Sequence, residues 1–125
     1  MPTYMFVLRD IPQDYARITP EEMQRIIQKY RAWAGKLREQ GVIVSSDKLV
    51  DGSGKVMRRG KSPLRVTDGP FAEGKEIFGG YFAVKADSYE EAVKIAEGCP
   101  HLDMNGTLEI REVEVMRGAA CHPPA

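Results

Sequence analysis

The sequence predicts one α+β domain, because two amphipathic helices alternate with short apolar strands along a chain of 125 residues. Capping sequences mark the start of each helix, and a glycine follows each helix. Runs of β-branched and aromatic residues, bounded by Gly, Pro and Asp, indicate the strands. With 42% hydrophobic residues, the chain has enough apolar side chains to form a core.

The first strand and the first helix have the clearest signals. Tyr4 to Leu8 is a short apolar run and predicts a buried strand. In Thr19-Pro20-Glu21-Glu22 the threonine can cap a helix, the proline suits its first turn, and the second glutamate can complete a capping box. Apolar residues then recur at spacings of three and four. Gly41 follows where a left-handed C-cap belongs.

The second half of the chain repeats this order. Ser88-Tyr89-Glu90-Glu91 is a second capping box, and its helix ends at Gly98 with Tyr89, Ala92, Val93 and Ala96 on one face. In the last strand the alternation slips at Arg111-Glu112, which predicts a bulge or a bend. The later strands are predicted at Val42 to Leu49, Lys55 to Arg59, Leu64 to Thr67, Ile77 to Val84 and Leu108 to Met116.

The element order is β-α-β followed by β-α-β, with an extra hairpin inserted between the halves. This is the ferredoxin-like, split β-α-β pattern. Because Ile77 to Val84 is apolar on both sides, both sheet faces are expected to be covered, and a homodimer packed sheet on sheet achieves this. We expect the domain to span residues 1–117 and residues 118–125 to form a disordered tail.

Charge and composition exclude several classes of function. Eighteen Lys and Arg balance eighteen Asp and Glu, which argues against binding to nucleic acid. Lys55, Arg58, Arg59 and Lys61 therefore indicate a solvated edge strand. No apolar run approaches the roughly twenty residues of a membrane span, no signal peptide is present, and two cysteines cannot staple a secreted scaffold. We expect a cytoplasmic protein without a membrane partner. Sequence motifs for phosphate loops, dinucleotide binding and zinc peptidases are absent, so no cofactor is expected.

One long run resembles a known family. Val66-Thr67-Asp68-Gly69-Pro70-Phe71-Ala72-Glu73-Gly74-Lys75-Glu76 is followed by Phe78-Gly79-Gly80-Tyr81, and the match continues through Gly98-Cys99-Pro100 and the strand Leu108 to Val113. The chain resembles the DGPF-domain branch of the YCII-related family over roughly Tyr4 to Val115.

The resemblance implies a ferredoxin-like fold that dimerises into an α/β barrel, with a pocket between sheet and helices. Some YCII relatives resemble small acid–base enzymes that use a His–Asp pair, whose positions fall here near Tyr30 and at Cys99. DGPF relatives have no established reaction, and some are encoded with or fused to sigma factors.

The motif segment supplies two sets of candidate residues, each with two interpretations. Asp68 is a candidate general base or ligand-orienting carboxylate, but Asp before Gly-Pro is also ordinary turn chemistry, which we prefer. Glu73, Lys75 and Glu76 are candidates to meet a polar ligand at the pocket mouth, and they fit a solvated loop equally well.

Cys99, His101 and Asp103 form a second candidate cluster. It lacks the second half of a zinc site, so we expect no metal and prefer a helix end with a buried thiol and a surface histidine. His101 is nevertheless a candidate acid–base group. Cys121-His122 adds a possible metal contact but is expected to fluctuate in solvent.

Three further residues, Arg9, Asp10 and Tyr30, are candidates to face the space between sheet and helix. Tyr30 and Trp33 lie on the apolar stripe of the first helix, which is more typical of a core than of a ligand platform.

Three hypotheses for function follow. The first is a homodimeric module that binds a small molecule, with ligand-binding residues Asp68, Gly69, Pro70, Phe71, Glu73, Lys75, Glu76 and Tyr30. In this hypothesis Asp68 to Glu76 shape the pocket mouth, and Tyr30 and His101 are candidates for its wall. The second is a small acid–base enzyme acting on an aromatic or carbonyl substrate, in which Asp68 or Glu76 partners His101. The third is an interaction module linked to a sigma factor.

Overall fold

The computed structural model describes residues 1–11, 17–61, 63–69 and 76–114. The described residues contain two helices, α1 (Pro20–Glu39) and α2 (Tyr89–Ala96). A 3-10 segment at Pro100–Met104 follows α2. The strands are β1 (Thr3–Asp10), β2 (Ile43–Lys48), β3 (Lys55–Arg58), β4 (Arg65–Asp68), β5 (Ile77–Lys85) and β6 (Thr107–Val113). Each described element agrees in type with the one that the sequence predicts.

Four strands form the main sheet in the order β2-β5-β1-β6, with every neighbouring pair antiparallel. The strand β5 lies between β1 and β2, so each β-α-β unit is split by a strand of the other unit. This mixed α+β arrangement is compatible with a ferredoxin-like fold. β3 and β4 form a separate two-stranded hairpin, the insertion expected from the sequence.

Both helix starts have the predicted capping. Thr19 Oγ1 accepts a hydrogen bond from the Glu22 N–H at 3.2 Å, and Ser88 Oγ accepts one from the Glu91 N–H at 3.2 Å. Gly41 has the left-handed φ of 73° that a C-cap glycine provides after α1. Although α1 spans 20 residues, it is too polar for a membrane, and no helix in the described residues combines the length and apolar character needed to cross one.

The predicted apolar face of α2 is buried only in part. Ala92 and Ala96 are buried against the sheet, whereas Tyr89 and Val93 are about half exposed. One local prediction is wrong. β6 pairs with β1 without a register shift from Thr107 to Val113, so Arg111-Glu112 is not a bulge. The register shifts of the sheet occur in the pairing of β5 with its two neighbours. One lies between Leu8 and Arg9 of β1, and the other between Ile43 and Ser45 of β2.

The core lies between the sheet and the two helices. The residues in it are fully or nearly buried and come mostly from alternate positions of β1 and β5 and from alanines of the helices: Tyr4, Phe6, Ala34, Ile43, Val84, Ala86, Ala92 and Ala96. Ala34 is the one buried residue of α1. The predicted apolar stripe of α1 therefore does not all enter the core, and this leaves space beneath the first half of the helix.

Candidate functional site

A cavity of about 620 Å³ lies between α1 and the main sheet, and we call it the α1–sheet cavity. Its volume is in the range of small-ligand sites. Its wall is largely apolar, with charged side chains as well. The lining residues are Leu8, Asp10, Met23, Ile26, Ile27, Tyr30, Arg31, Ala34, Arg38, Ser46, Asp47, Lys48, Asp51, Gly79, Gly80, Phe82, His101 and Met104.

Aromatic rings form part of the wall. The rings of Tyr30 and Phe82 are nearly parallel, with an interplanar angle of 15° and centroids 6.5 Å apart. Trp33 packs edge-on against Phe82 at 5.1 Å and donates a hydrogen bond from Nε1 to the Ile95 carbonyl at 3.3 Å. Trp33 thus belongs to the core behind the wall, whereas Tyr30 faces the cavity.

His101 is the buried polar residue of the site, only 2% exposed. The preferred interpretation of a surface histidine is therefore wrong: Pro100 starts a 3-10 turn that carries the ring inward to the end of β1. The Nε2 atom lies 2.9 Å from the Arg9 carbonyl oxygen and 3.4 Å from Asp10 Oδ1. The Asp10 side chain is itself only 16% exposed. The structure therefore pairs a histidine with an aspartate at the cavity wall.

The hydrogen-bond partner of Nε2 determines the form of the neutral ring. A carbonyl oxygen only accepts hydrogen bonds, so Nε2 carries the proton and donates to Arg9, and the Nδ1 lone pair is the basic one. When Nδ1 takes up a proton, the ring becomes an imidazolium, and the carboxylate of Asp10 stabilises this charge. The pair can therefore accept and return a proton.

Two glycines leave the space that the pair occupies. A Cβ at Gly79, beside the irregular pairing of β1 and β5, would collide with the carboxylate of Asp10. A Cβ at Gly106 would collide with three atoms of the His101 ring. Gly80 has a different role, because a Cβ there would lie 2.8 Å from the Asp47 carbonyl oxygen on β2. Each glycine of the Gly79-Gly80 pair thus admits a different neighbour.

The structure brings only some of the sequence-predicted residues together. Tyr30 and His101 both line the α1–sheet cavity. Asp68 is in the β3–β4 hairpin, where its exposed side chain is ion-paired with Lys55, and Gly69 donates its N–H to the Gly54 carbonyl. Among the described residues, neither Asp68 nor Gly69 is part of the cavity lining.

Glu76 lies just before β5 and accepts a hydrogen bond from the Thr107 hydroxyl at 2.7 Å. The partner of His101 is therefore Asp10, and not Asp68 or Glu76 as the enzyme hypothesis assumed. Pro70, Phe71, Glu73 and Lys75 lie outside the described residues, as do Cys121 and His122.

The cluster of Cys99, His101 and Asp103 divides in space. His101 turns to β1, Cys99 is buried, and Asp103 is exposed. In the part of the chain that the structure describes, no group of three or more His, Cys, Asp or Glu side chains is placed to hold a metal ion.

We expect the Cys99 thiol to be unreactive below pH 9, because burial raises its pKa from 9.0 to about 11. In a Cys121→Ser background, a disulfide reagent at pH 8 should modify Cys99 far more slowly in folded than in urea-unfolded protein.

The raised pKa of Cys99 also predicts a pH-dependent stability. The thiol of the unfolded chain ionises first as pH rises, so the free energy of unfolding should fall between pH 9 and about 11.

The matched variant for this pH effect is Cys99→Ala, which removes the thiol. In this variant the free energy of unfolding, measured with urea, should fall between those pH limits by on the order of 2 kcal/mol less than in the wild-type protein. An equal slope in both proteins would contradict the assignment of this effect to Cys99.

We expect Gly106→Ala to displace the His101 ring and to lower the free energy of unfolding by about 1–3 kcal/mol. Gly79→Ala should lower the free energy of unfolding by less, because the Asp10 side chain can rotate away. That rotation should break the contact between Asp10 and His101. The measurements are urea unfolding and the ¹⁵N chemical shifts of the His101 ring. Gly35→Ala is the control, since a Cβ there meets nothing within 4 Å and a helical alanine is about 0.5–1 kcal/mol more favourable. Unchanged His101 shifts in both site variants would contradict this account.

A solved structure offers one comparison. It is a 5-chloro-2-hydroxyhydroquinone dehydrochlorinase from Burkholderia phenoliruptrix, in complex with 2,5-dihydroxybenzoquinone. It is 14% identical, has a TM-score of 0.47, and the match covers 91% of this chain and 94% of that chain. No curated protein shows significant similarity. The family model described as the YCII-related domain matches residues 3–117. The chain therefore belongs to the YCII-related family.

Proposed function

We propose that this protein is a small acid–base enzyme that moves a proton on an aromatic or carbonyl substrate bound in the α1–sheet cavity. The observation that carries the proposal is the burial of His101 beside Asp10 at the wall of an otherwise largely apolar cavity. Burying an imidazole and a carboxylate costs free energy unless the two groups are paired. A cavity that only binds an apolar ligand has no need of such a pair.

The proposed step uses the basic Nδ1 of neutral His101. Nδ1 accepts a proton from an acidic C–H or O–H of the substrate, and the electron pair of the broken bond stays on the substrate as an enolate or phenolate. Asp10 stabilises the resulting imidazolium from the Nε2 side. His101 then returns the proton to the same or a neighbouring atom. Water screens these electrostatic interactions less than at the surface, because His101 is 2% exposed and the Asp10 side chain 16%.

We expect the protein to catalyse C–H exchange of a neutral diketone, cyclohexane-1,2-dione, in D₂O. His101→Gln should slow the exchange by about 10²–10⁴-fold, because the general base is lost, and Asp10→Asn should slow it less. Loss of the diketone's α-proton signals in ¹H NMR spectra measures the rate. Asp87→Asn, an exposed aspartate outside the cavity lining, is the control and should leave the rate unchanged.

Two outcomes would contradict the enzyme proposal. Full exchange activity in His101→Gln would place the chemistry elsewhere. Saturable binding of the diketone by the wild-type protein, with no exchange above the buffer rate, would favour the binding-module hypothesis. A substrate-independent check is the ¹H–¹⁵N spectrum of the ring, which should show His101 as the Nε2–H form.

We also infer that the chain forms a homodimer, with the sheet face opposite the helices covered by a second copy. Tyr4 and Phe6 point to the helix side, so Met5 and Val7 lie on the opposite face, where Ala83 pairs with Met5. The β3–β4 hairpin also exposes an apolar pair: Met57 and Val66 lie opposite each other and are 61% and 55% exposed. Val7 and Ala83 are only 6% and 7% exposed within the chain itself, so the support for a partner comes from the exposed apolar pair of the hairpin.

We expect sedimentation at micromolar concentration to give a particle of twice the 14.0 kDa chain mass. Met57→Glu should shift the population towards monomer, because it places a charge on the proposed apolar contact. Arg59→Glu, also exposed and next to the same strand, is the control. A monomer in the wild-type protein would rule out this dimer.

The Asp68-Gly69-Pro70-Phe71 sequence supports placing the chain in the DGPF branch of the family. The association with a sigma factor that the family resemblance implies stays a prediction.

A further inference from the structure

The charged side chains around the α1–sheet cavity are not evenly paired. Each of its three aspartates has a partner. Asp10 contacts His101, and Asp51 is ion-paired with Lys48 at 3.1 Å. Asp47 accepts a hydrogen bond from the Tyr81 hydroxyl at 2.8 Å, and because Tyr81 pairs with Val7 this carboxylate lies on the sheet face opposite the helices. The negative charges of the cavity wall are thus engaged by the protein itself.

The two arginines of α1 are in a different situation. Arg38 donates from Nη2 to the Ser46 hydroxyl at 2.6 Å, a neutral partner that leaves its charge uncompensated. For Arg31 no hydrogen bond or ion pair is found with any part of the chain that the structure describes. Both arginines belong to the cavity lining and are exposed, and a guanidinium favours a bidentate contact with a carboxylate. The wall therefore carries a cationic patch, Arg31 and Arg38, without an anion.

This cationic patch and the histidine lie on different parts of the wall. Arg38 is bonded to Ser46 on β2, the edge strand, whereas His101 is bonded to the end of β1. Lys48 and Leu8 both pair with Gly80, so their Cα atoms are two strand spacings, about 10 Å, apart across the cavity floor. A single ring with one substituent has the size to bridge the two parts of the wall.

The middle of the cavity suits a flat, apolar body. Gly80 has no side chain on the floor, and the aromatic side chains of Tyr30 and Phe82, stacked on each other, line this part of the cavity. Flat conjugated molecules gain from contact with aromatic side chains beyond the burial of their apolar surface. The aliphatic side chains of Leu8, Ile26 and Ile27 complete the apolar part.

We propose that the α1–sheet cavity binds a small planar anion, an aromatic or conjugated ring that bears one carboxylate, with the carboxylate at Arg31 and Arg38 and the ring on Tyr30 and Phe82. We add one element that rests on the proposed function, namely that the reacting atom of the bound ring faces His101. Anion binding itself depends on α1 and β2 and does not require catalysis.

The test uses benzoate as the probe, with benzamide as its uncharged analogue and cyclohexanecarboxylate as its non-planar one. Titration calorimetry at low ionic strength should show benzoate binding more tightly than either analogue. Arg31→Gln and Arg38→Gln should each weaken benzoate binding by about tenfold or more and leave benzamide binding unchanged. Arg25→Gln is the matched control, because Arg25 is exposed on the same helix and does not line the cavity.

The readouts separate this inference from the proposed function. His101→Gln should lose diketone exchange and keep benzoate affinity within about threefold, because the carboxylate is held elsewhere. Equal binding of benzoate and benzamide, or unchanged benzoate affinity in the folded Arg31→Gln/Arg38→Gln double variant, would overturn the anion inference while diketone exchange stood. Exchange that survives His101→Gln would overturn the proposed function and leave the anion site standing. Circular dichroism confirms that each variant is folded.

Discussion

The hydrogen bond from His101 Nε2 to the Arg9 carbonyl is the contact on which the site depends. It ties the 3-10 turn after α2 to the end of β1 and holds the imidazole against Asp10. The contact exists because two glycines supply the room, Gly79 for the carboxylate and Gly106 for the ring. It also sets the protonation of the ring, since a carbonyl can only accept. Position, tautomer and charge partner of the histidine thus follow from one close approach of two backbone segments.

The cavity beside this contact results from unequal packing of the two helices. α2 lies close to the sheet because Ala92 and Ala96 face it, whereas α1 packs through large rings and buries only Ala34 completely. The apolar residues in the first half of α1 therefore line a space and do not fill it. In a domain without a cavity these apolar residues of α1 would pack in the core. Here they remain accessible to a small molecule in the α1–sheet cavity.

The charges of the site are divided in a way that suits chemistry on an anion. The carboxylates are held by partners within the protein, and Arg31 and Arg38 at the wall of the cavity are not neutralised by a described carboxylate. The rest of the lining is largely apolar. The proposed anion site and the proposed proton-transfer pair therefore use different residues, so each can be altered without the other.

Local signals in the sequence determined the secondary structure. The caps at Thr19 and Ser88, and the glycine after α1, act through neighbouring backbone atoms, so their effect is visible within a few residues. The order of the elements then indicated the split β-α-β arrangement. The depth of packing was not visible in the sequence: the face of α2 that carries Tyr89, Ala92, Val93 and Ala96 buries its alanines against the sheet and leaves the two larger side chains about half exposed.

The pairing of His101 with Asp10 was decided by the tertiary structure alone. Arg9 and His101 are 92 residues apart, and nothing local to either one shows that the chain brings them together. Asp10 was a candidate for the space under the helix, but the sequence placed His101 on the surface, because the spacing of Cys99, His101 and Asp103 suggested only a helix end. Strand pairing and the room left by Gly79 and Gly106 place this histidine, which follows a proline, in a buried position beside an aspartate.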